Sequence, residues 1–275
     1  MGTPGHPPSG GTQASQAWPL PRKDYWSTPF AEALLDHLDI SPGATILDIA
    51  CGSGLPAFTL AEAVGPTGQV LGVDLSEGQL ARARAVQGPH LPWLRFECHD
   101  MRALPPTVPT FDRITGNLSV MFLRPTRWEA LRRLIAHLKP GGQLVLTFPS
   151  RGTFDSLWQR VDREMADRGL TVERDALAAY VAERPSAEDA RGWLKALGVE
   201  RIRVTEWPLE VETGRGAAFL YHPLLRAGFL DDVYECFRDP VLADVVMTAV
   251  SEDLPSFLPL VAQRCAMSGW RAPNT

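Results

Sequence analysis

The feature of this sequence that most constrains its fold is the regular alternation of short β-branched segments with amphipathic segments between residues 45 and 148. Strands that alternate with helices in this way form βαβ units, and their strands run parallel within one sheet. The predicted strands are ATILDIA, GQVLGVD, WLRFECH, FDRITGN and GQLVLTF. Two more alternating segments, residues 200–211 and 258–270, predict strands beyond this region, so we expect an α/β fold.

Short polar patterns predict where helices begin and end. In a capping box, a hydroxyl accepts a hydrogen bond from a backbone N–H that has no partner inside the helix. The patterns are Ser76 with Gln79, Thr126 with Glu129 and, in a weaker form, Ser186 with Asp189. The segment Lys139-Pro140-Gly141-Gly142 predicts the end of a helix and a turn into the next strand, because proline cannot continue a helix.

The chain is predicted to hold one domain with additions. Residues 1–17 are rich in Gly, Pro and Ser, which predicts a disordered arm because such a composition buries little apolar surface. Residues 18–275 form the domain, since this length suits one hydrophobic core. Residues 18–40 are expected to form a lid helix, and residues 150–185 and 215–252 helical caps over one edge of the sheet.

Composition excludes several function classes. The chain has 27 Lys and Arg against 32 Asp and Glu, a net charge of -5, which gives no reason to expect nucleic acid as a partner. The four cysteines form no CxxC pair, so we expect no metal site and reduced thiols in a cytoplasmic protein. No apolar run is long enough for a membrane span. The sequence does not reveal an oligomeric state.

The segment ILDIACGSG runs from a strand through a glycine-rich turn into the helix FTLAEAV. Unpaired backbone N–H groups at such a turn point outward, and the helix dipole favours negative charge there. Gly52 and Gly54 let a ligand approach the main chain because no Cβ stands in the way. The turn also fits G-x-G-x-x-A, so this pattern alone leaves a dinucleotide open.

Acidic residues near three successive strand ends favour a nucleoside with an amino-acid tail over a dinucleotide. Asp48 lies where it can meet an ammonium group but would repel a pyrophosphate. Asp74 can accept both hydroxyls of a ribose, as the acid of an NAD enzyme also does. Asp100 can accept from an adenine amino group, with Met101 against the ring. The third acid is the one that a dinucleotide fold does not require.

Together, ILDIACGSG, GQVLGVDLSEGQLARARA, ECHDM, FDRITGN and LKPGG resemble the class I S-adenosylmethionine (SAM)-dependent methyltransferases, particularly those of ubiquinone and menaquinone biosynthesis. The resemblance covers about residues 41–147 and departs at Ala50, where many members have glycine. It implies a Rossmann-like three-layer sandwich with a mostly parallel seven-stranded sheet, the last strand antiparallel, under a helical cap. SAM is the implied cofactor.

The resemblance also implies the residues of the SAM site. The methionine part would lie against Asp48, Ala50, Cys51, Gly52 and Gly54, the ribose against Asp74 and Leu75, and the adenine against Asp100 and Met101. The residues after the fourth strand, Asn117, Leu118 and Ser119, would lie beside the sulfonium. Tyr25 resembles an aromatic residue that reaches the carboxylate of the cofactor, although a packing role is equally open.

The expected function is transfer of a methyl group from SAM to a small, largely apolar acceptor of secondary metabolism. Tyr221 and His222 lie in the predicted cap, where a neutral imidazole can act as general base; a structural or surface histidine is the other interpretation of His222. Three alternatives stay open. The chain could use SAM for a reaction without methyl transfer, such as cyclisation, it could be a non-catalytic SAM-binding partner subunit, or it could be an NAD dehydrogenase.

Overall fold

The structure is a computed structural model, and it describes residues 26–124, 126–211, 226–253 and 258–273. The predicted disordered arm and the start of the predicted lid segment lie outside these ranges. The described residues form the predicted α/β architecture.

Seven strands form one sheet in the order β3-β2-β1-β4-β5-β7-β6. Neighbouring strands from β3 to β5 pair in parallel, whereas β7 is antiparallel to both β5 and β6. This confirms the mostly parallel sheet and its antiparallel last strand. The strands are β1 (Thr45–Ile49), β2 (Gln69–Asp74), β3 (Leu94–Cys98), β4 (Phe111–Gly116), β5 (Leu138–Pro149), β6 (Val199–Glu210) and β7 (Val261–Arg271).

Helices flank the sheet and cover its edge. The α-helices are α1 (Ser27–His37), α2 (Ala57–Val64), α3 (Glu77–Gln87), α4 (Arg127–Ala136), α5 (Asp155–Asp167), α6 (Thr171–Ala182), α7 (Ala187–Ala196), α8 (Asp231–Tyr234) and α9 (Pro240–Glu252). A 3-10 turn covers Val120–Leu123 and a π-helical turn covers Arg226–Leu230. Within the described ranges, no helix is both long and apolar enough to cross a bilayer.

The central strand β1 is buried on both faces, as expected for a strand with helices on either side. Ile46 belongs to one apolar cluster, with Phe58 of α2, whereas Leu47 belongs to the opposite cluster, with Leu131 of α4. A third cluster lies under the cap helices and includes Trp26, Phe30, Phe154, Trp158 and Phe229. The carboxyl ends of the strands therefore open between a rigid sheet and an aromatic cap.

Two of the three predicted helix caps are present. The Ser186 hydroxyl accepts from the backbone N–H of Asp189, whose carboxylate accepts in return from the Ser186 N–H. Ser76 likewise accepts from the N–H of Gln79. At Thr126 the prediction was wrong, because the side chain makes no cap bond. The Thr126 backbone, with ψ 42°, lies outside the extended conformation that a capping residue adopts.

The segment Lys139–Gly142 was predicted to separate a helix from a strand, and this was also wrong. Helix α4 already ends at Ala136, and the segment lies inside β5. Phe111 pairs with Leu138 and Arg113 with Gln143, so the residues between 138 and 143 bulge out of the ladder, with Gly141 at φ +73°. A bulge needs the same conformational freedom from glycine as a turn does, so composition alone did not distinguish them.

Candidate active site

The chain leaves β1 in a tight turn that contains two glycines with positive φ. Gly52 has φ +53° and Gly54 has φ +103°. A Cβ on Gly52 would meet no atom within 4 Å, so a ligand can approach the main chain there. A Cβ on Gly54 would lie 2.3 Å from Cε2 of Phe58. Gly52 therefore leaves room for a ligand, whereas Gly54 lets α2 pack closely on the turn.

Replacing Gly54 with alanine is expected to lower the free energy of unfolding by about 2 kcal/mol, because the variant combines positive φ with overpacking against Phe58. Chemical denaturation measures this change. Gly192→Ala in α7 is the matched control, since its Cβ meets no atom within 4 Å. An alanine in a helix should leave stability unchanged or raise it slightly. Equal stability of the two variants would contradict the packing role of Gly54.

A cavity of about 430 Å³ opens beside this turn. We call it the strand-end cavity, because the residues that follow β1, β2 and β4 line it. The strand order reverses between β1 and β4, and ligands of open α/β sheets bind in the crevice at such a point. Its volume lies within the usual range for small-molecule sites. Of the predicted site residues, it is lined by Ala50, Cys51, Gly52, Asp74, Leu75, Met101, Asn117 and Leu118.

Asp74, the last residue of β2, lies against the glycine turn. Its two carboxylate oxygens accept backbone N–H groups, one from Gly52 at 2.9 Å and one from Ser76 at 2.8 Å. These bonds fix the carboxylate at the wall of the strand-end cavity, and each oxygen keeps capacity for another donor. A diol with two adjacent hydroxyls, such as that of a ribose, can donate to the two oxygens.

Asp48 lies behind the turn and does not line the strand-end cavity. Its side chain is fully buried in β1, where Oδ1 accepts from the Thr115 hydroxyl at 2.7 Å. Its Oδ2 has no hydrogen-bond partner among the described residues. Burial, the largest cause, raises the pKa of this carboxyl from about 3.8 to about 7, against the lowering effect of the Thr115 bond. Asp48 is thus held ready to accept one more donor.

The side of the cavity predicted for adenine has an apolar residue but not the predicted acid. Met101 and Leu75 line the cavity, whereas Asp100 does not. The Asp100 carboxylate instead accepts from Arg102 through Nε and Nη2, the latter at 2.8 Å. These bonds hold the pKa of Asp100 below its usual value. The structure therefore leaves Asp100 beside the cavity, already engaged by Arg102.

The residues after β4 connect the strand-end cavity to the first helix. Asn117 donates from Nδ2 to the carbonyl of Ser27 at 3.1 Å and accepts from the Thr147 hydroxyl at 2.8 Å. Leu118 has φ +54°, and its N–H donates to the same hydroxyl. Ser119 is buried and donates to the carbonyl of Gly116, outside the cavity lining. The start of α1 is thereby fixed against the cavity.

Sequence reasoning missed several lining residues and named others that the structure does not place. The missed ones are Ser27, Ser53, Leu55, Val73, Ser76, Gln79, Met121 and Phe122. Most lie within a few positions of a predicted strand end, so extending each turn would have found them. The cavity is also lined by Trp26, within the predicted lid segment, and by His99, next to Asp100. Gly54, like Asp48, Asp100 and Ser119, does not line the cavity. Tyr25, Tyr221 and His222 lie outside the described residues.

Part of the chain matches a known family. Residues 46–142 match the family model of a methyltransferase domain. A tRNA (guanine(6)-N2)-methyltransferase of Thermus thermophilus is 40% identical over 42% of this chain and 37% of that protein. A 27-O-demethylrifamycin SV methyltransferase of Amycolatopsis mediterranei is 29% identical over 72% of this chain and 80% of that protein.

The share of each relative that the chain covers limits what these likenesses show. The chain spans between 36% and 59% of the length of five curated relatives that it matches. Among solved structures, the [4+2]-cyclase SpnF superposes with a TM-score of 0.55 at 18% identity, covering 90% of this chain and 82% of that one. At that identity the superposition shows the shared fold.

Proposed function

We propose that this chain, whose residues 46–142 match a methyltransferase domain, binds SAM in the strand-end cavity and transfers the methyl group to a small organic acceptor. One observation carries the proposal. The open main chain at Gly52 and the fixed carboxylate of Asp74 lie at one cavity wall, 2.9 Å apart from nitrogen to oxygen. A ribose diol is a suitable donor to that carboxylate, and the glycine turn beside it admits the rest of the ligand.

The residues fit SAM on two further points. Asp48 has a buried oxygen without a partner behind the turn, which suits an ammonium group held directly or through water. Met101 and Leu75 offer apolar contact to a flat ring. When bound, SAM supplies a methyl group on a positively charged sulfur, which is already activated for displacement.

The contribution of the protein to catalysis is then chiefly alignment and exclusion of water. Trp26, Met121 and Phe122 line the cavity and can shield the reacting atoms, and Asn117 is held rigidly by its two hydrogen bonds. The Cys51 thiol also lines the cavity, but burial raises its pKa, which keeps it protonated. Tyr221 and His222 stay a prediction for removal of the acceptor proton.

The lengths over which two curated relatives match favour a small acceptor over a nucleic acid. The likeness to the rifamycin-modifying enzyme spans 80% of that protein, whereas the likeness to the tRNA enzyme spans 37% of it. The net charge of -5 also gives no broad attraction to a polyanion. The apolar lining of the cavity by Trp26, Met121 and Phe122 favours an acceptor with a largely apolar body, as in secondary metabolism. The four free cysteines are consistent with the cytoplasm.

Calorimetric titration with SAM and with NAD tests the proposal, followed by mass spectrometry after incubation with SAM and candidate apolar acceptors. We expect one SAM per chain, no heat with NAD, and release of S-adenosylhomocysteine with a gain of one methyl group on the acceptor. Tight binding of NAD without SAM binding would refute the proposal. Conversion of an acceptor without S-adenosylhomocysteine release would instead indicate a cyclisation or rearrangement.

A further inference from the structure

A second cavity, of about 130 Å³, shares a wall with the strand-end cavity, because Met121 and Phe122 line both. We call it the arginine pocket, after Arg124, Arg127 and Arg184 in its lining. A cavity of about 150 Å³ holds one benzene ring, so the arginine pocket suits one end of an acceptor rather than a whole metabolite. Its position beside the strand-end cavity places that end close to the proposed methyl donor.

Arg184 is buried in the arginine pocket against aromatic rings and a phenolic hydroxyl. Its side chain is 7% exposed, and its guanidinium lies 4.3 Å from the ring centre of Phe229 and 4.8 Å from that of Tyr180. Nη2 donates to the Tyr180 hydroxyl, which in turn lies 3.2 Å from the carbonyl of Phe229. The rings and the hydroxyl fix the guanidinium in one orientation without neutralising its charge.

Two donors at this pocket have no partner among the described residues. They are Nη1 of Arg184 and Nε of Arg127, and both are buried. A buried donor without an acceptor costs about 1–3 kcal/mol, and more when it is charged, so a purely structural arginine would be expected to be satisfied. An acceptor group that enters the pocket can satisfy the two nitrogens once the side chains shift to expose them.

The charges around the arginine pocket leave one cation in excess. Its described lining holds three arginines and two acids, Glu183 and Asp232. Both acids are already ion-paired, Glu183 with Arg124 and Arg127 and Asp232 with Arg124 at 2.9 Å. No acid of the described residues forms an ion pair with Arg184 within 4.0 Å. The buried guanidinium of Arg184 is thus the one without a direct ion-pair partner, and Asp232 attracts it only at longer range.

We propose that the arginine pocket binds a carboxylate of the methyl acceptor, with Arg184 as the principal partner and Arg127 as the second. A planar carboxylate matches the N–H groups of a guanidinium, and the rings of Tyr180 and Phe229 can pack against an adjoining apolar group. The inference rests on the proposed function, since it takes the strand-end cavity as the donor site. It adds that the acceptor is an organic acid with an apolar body.

Benzoate and benzamide are the probes, because they have nearly the same shape and differ in charge. With S-adenosylhomocysteine present, calorimetry or ligand-observed NMR on the full chain should give benzoate at least tenfold tighter binding than benzamide. Equal affinities, or no binding of either probe by a protein that still binds S-adenosylhomocysteine, would overturn the proposal. This arm uses unaltered protein, so it does not depend on how variants fold. Failure to bind S-adenosylhomocysteine at all would count instead against the proposed function.

Variants then locate the carboxylate. Arg184→Gln should reduce the preference for benzoate to within about twofold, while the affinity for SAM stays unchanged because Arg184 does not line the strand-end cavity. Arg127→Gln should reduce the preference for benzoate in part. This variant still tests the pocket if Arg184→Gln does not fold. Arg132→Gln, on the exposed face of α4, is the matched control and should keep the full preference. A preference that survives both pocket substitutions would overturn the assignment to these residues.

Discussion

Replacing Asp74 with alanine should weaken SAM binding about 1000-fold. Each hydrogen bond from a hydroxyl to a charged acceptor contributes about 2 kcal/mol, and the two ribose hydroxyls together contribute about 4 kcal/mol, which corresponds to about three orders of magnitude in Kd. The carboxylate is already oriented by the N–H groups of Gly52 and Ser76, so the ligand does not have to order it. Isothermal titration with SAM measures the change.

The same substitution removes the acceptor of two backbone N–H groups, so a folding defect must be separated from a binding defect. Chemical denaturation of the variant without ligand gives its stability, and the titration is run well below its unfolding transition. Asp167→Ala, on the exposed end of α5, is the matched control and should bind SAM like the unaltered chain. A folded Asp74→Ala variant with an affinity within about threefold of the control would refute the ribose assignment.

The sheet could be predicted from sequence because its information is local. The strands β1, β2 and β4 are short runs rich in β-branched residues, and helices separate β1 from β2, β2 from β3 and β4 from β5. The position of the cavity could also be predicted, because the carboxyl ends of parallel strands lie at one edge of the sheet. Ala50, Gly52 and Asp74 therefore line it as their positions suggest.

The side-chain partners could not be predicted in this way. Asp100 was expected to face the ligand, but Arg102, two positions further on, engages its carboxylate. Whether a neighbouring side chain turns toward the acid depends on how the side chains pack, which the spacing of residues in the sequence does not show. Asp48 shows the same limit of sequence-based prediction. Its position in β1 could be predicted, but its hydrogen-bond partner could not, because Thr115 is 67 positions away. An acid near a strand end can thus be predicted to lie close to a site without being predicted to contact the ligand.

The arginine pocket has no local signature at all. Its residues come from the turn before α4, from the end of α6 and from the π-helical turn and α8, and Arg124 and Asp232 are 108 positions apart in the chain. In the sequence, Arg184 is an arginine after a glutamate and before a proline, as is common on a solvated surface. Only the packing of Trp158, Tyr180 and Phe229 around it shows that its charge is buried.

Replacing Asp48 with asparagine should stabilise the protein strongly at alkaline pH. At acidic pH the same substitution should stabilise it much less. The pKa of Asp48 is about 3.8 in the unfolded chain and about 7 in the folded one, mainly because of burial. Between these values the folded state holds a proton that the unfolded state has released. The unfolding free energy of the unaltered chain therefore falls as pH rises from about 4, and this loss levels off above about 7.

Asparagine keeps an oxygen for the Thr115 hydroxyl but has no charge to bury, so it escapes this loss. Between pH 5 and pH 8.5 the stability of the variant relative to the unaltered chain should increase by about 3 kcal/mol. Urea unfolding at the two pH values measures the difference, and Asp167→Asn, at the exposed end of α5, is the matched control. Parallel pH profiles for Asp48→Asn and the unaltered chain would mean that Asp48 ionises normally. The partnerless Oδ2 would then have to be reached by water or another donor.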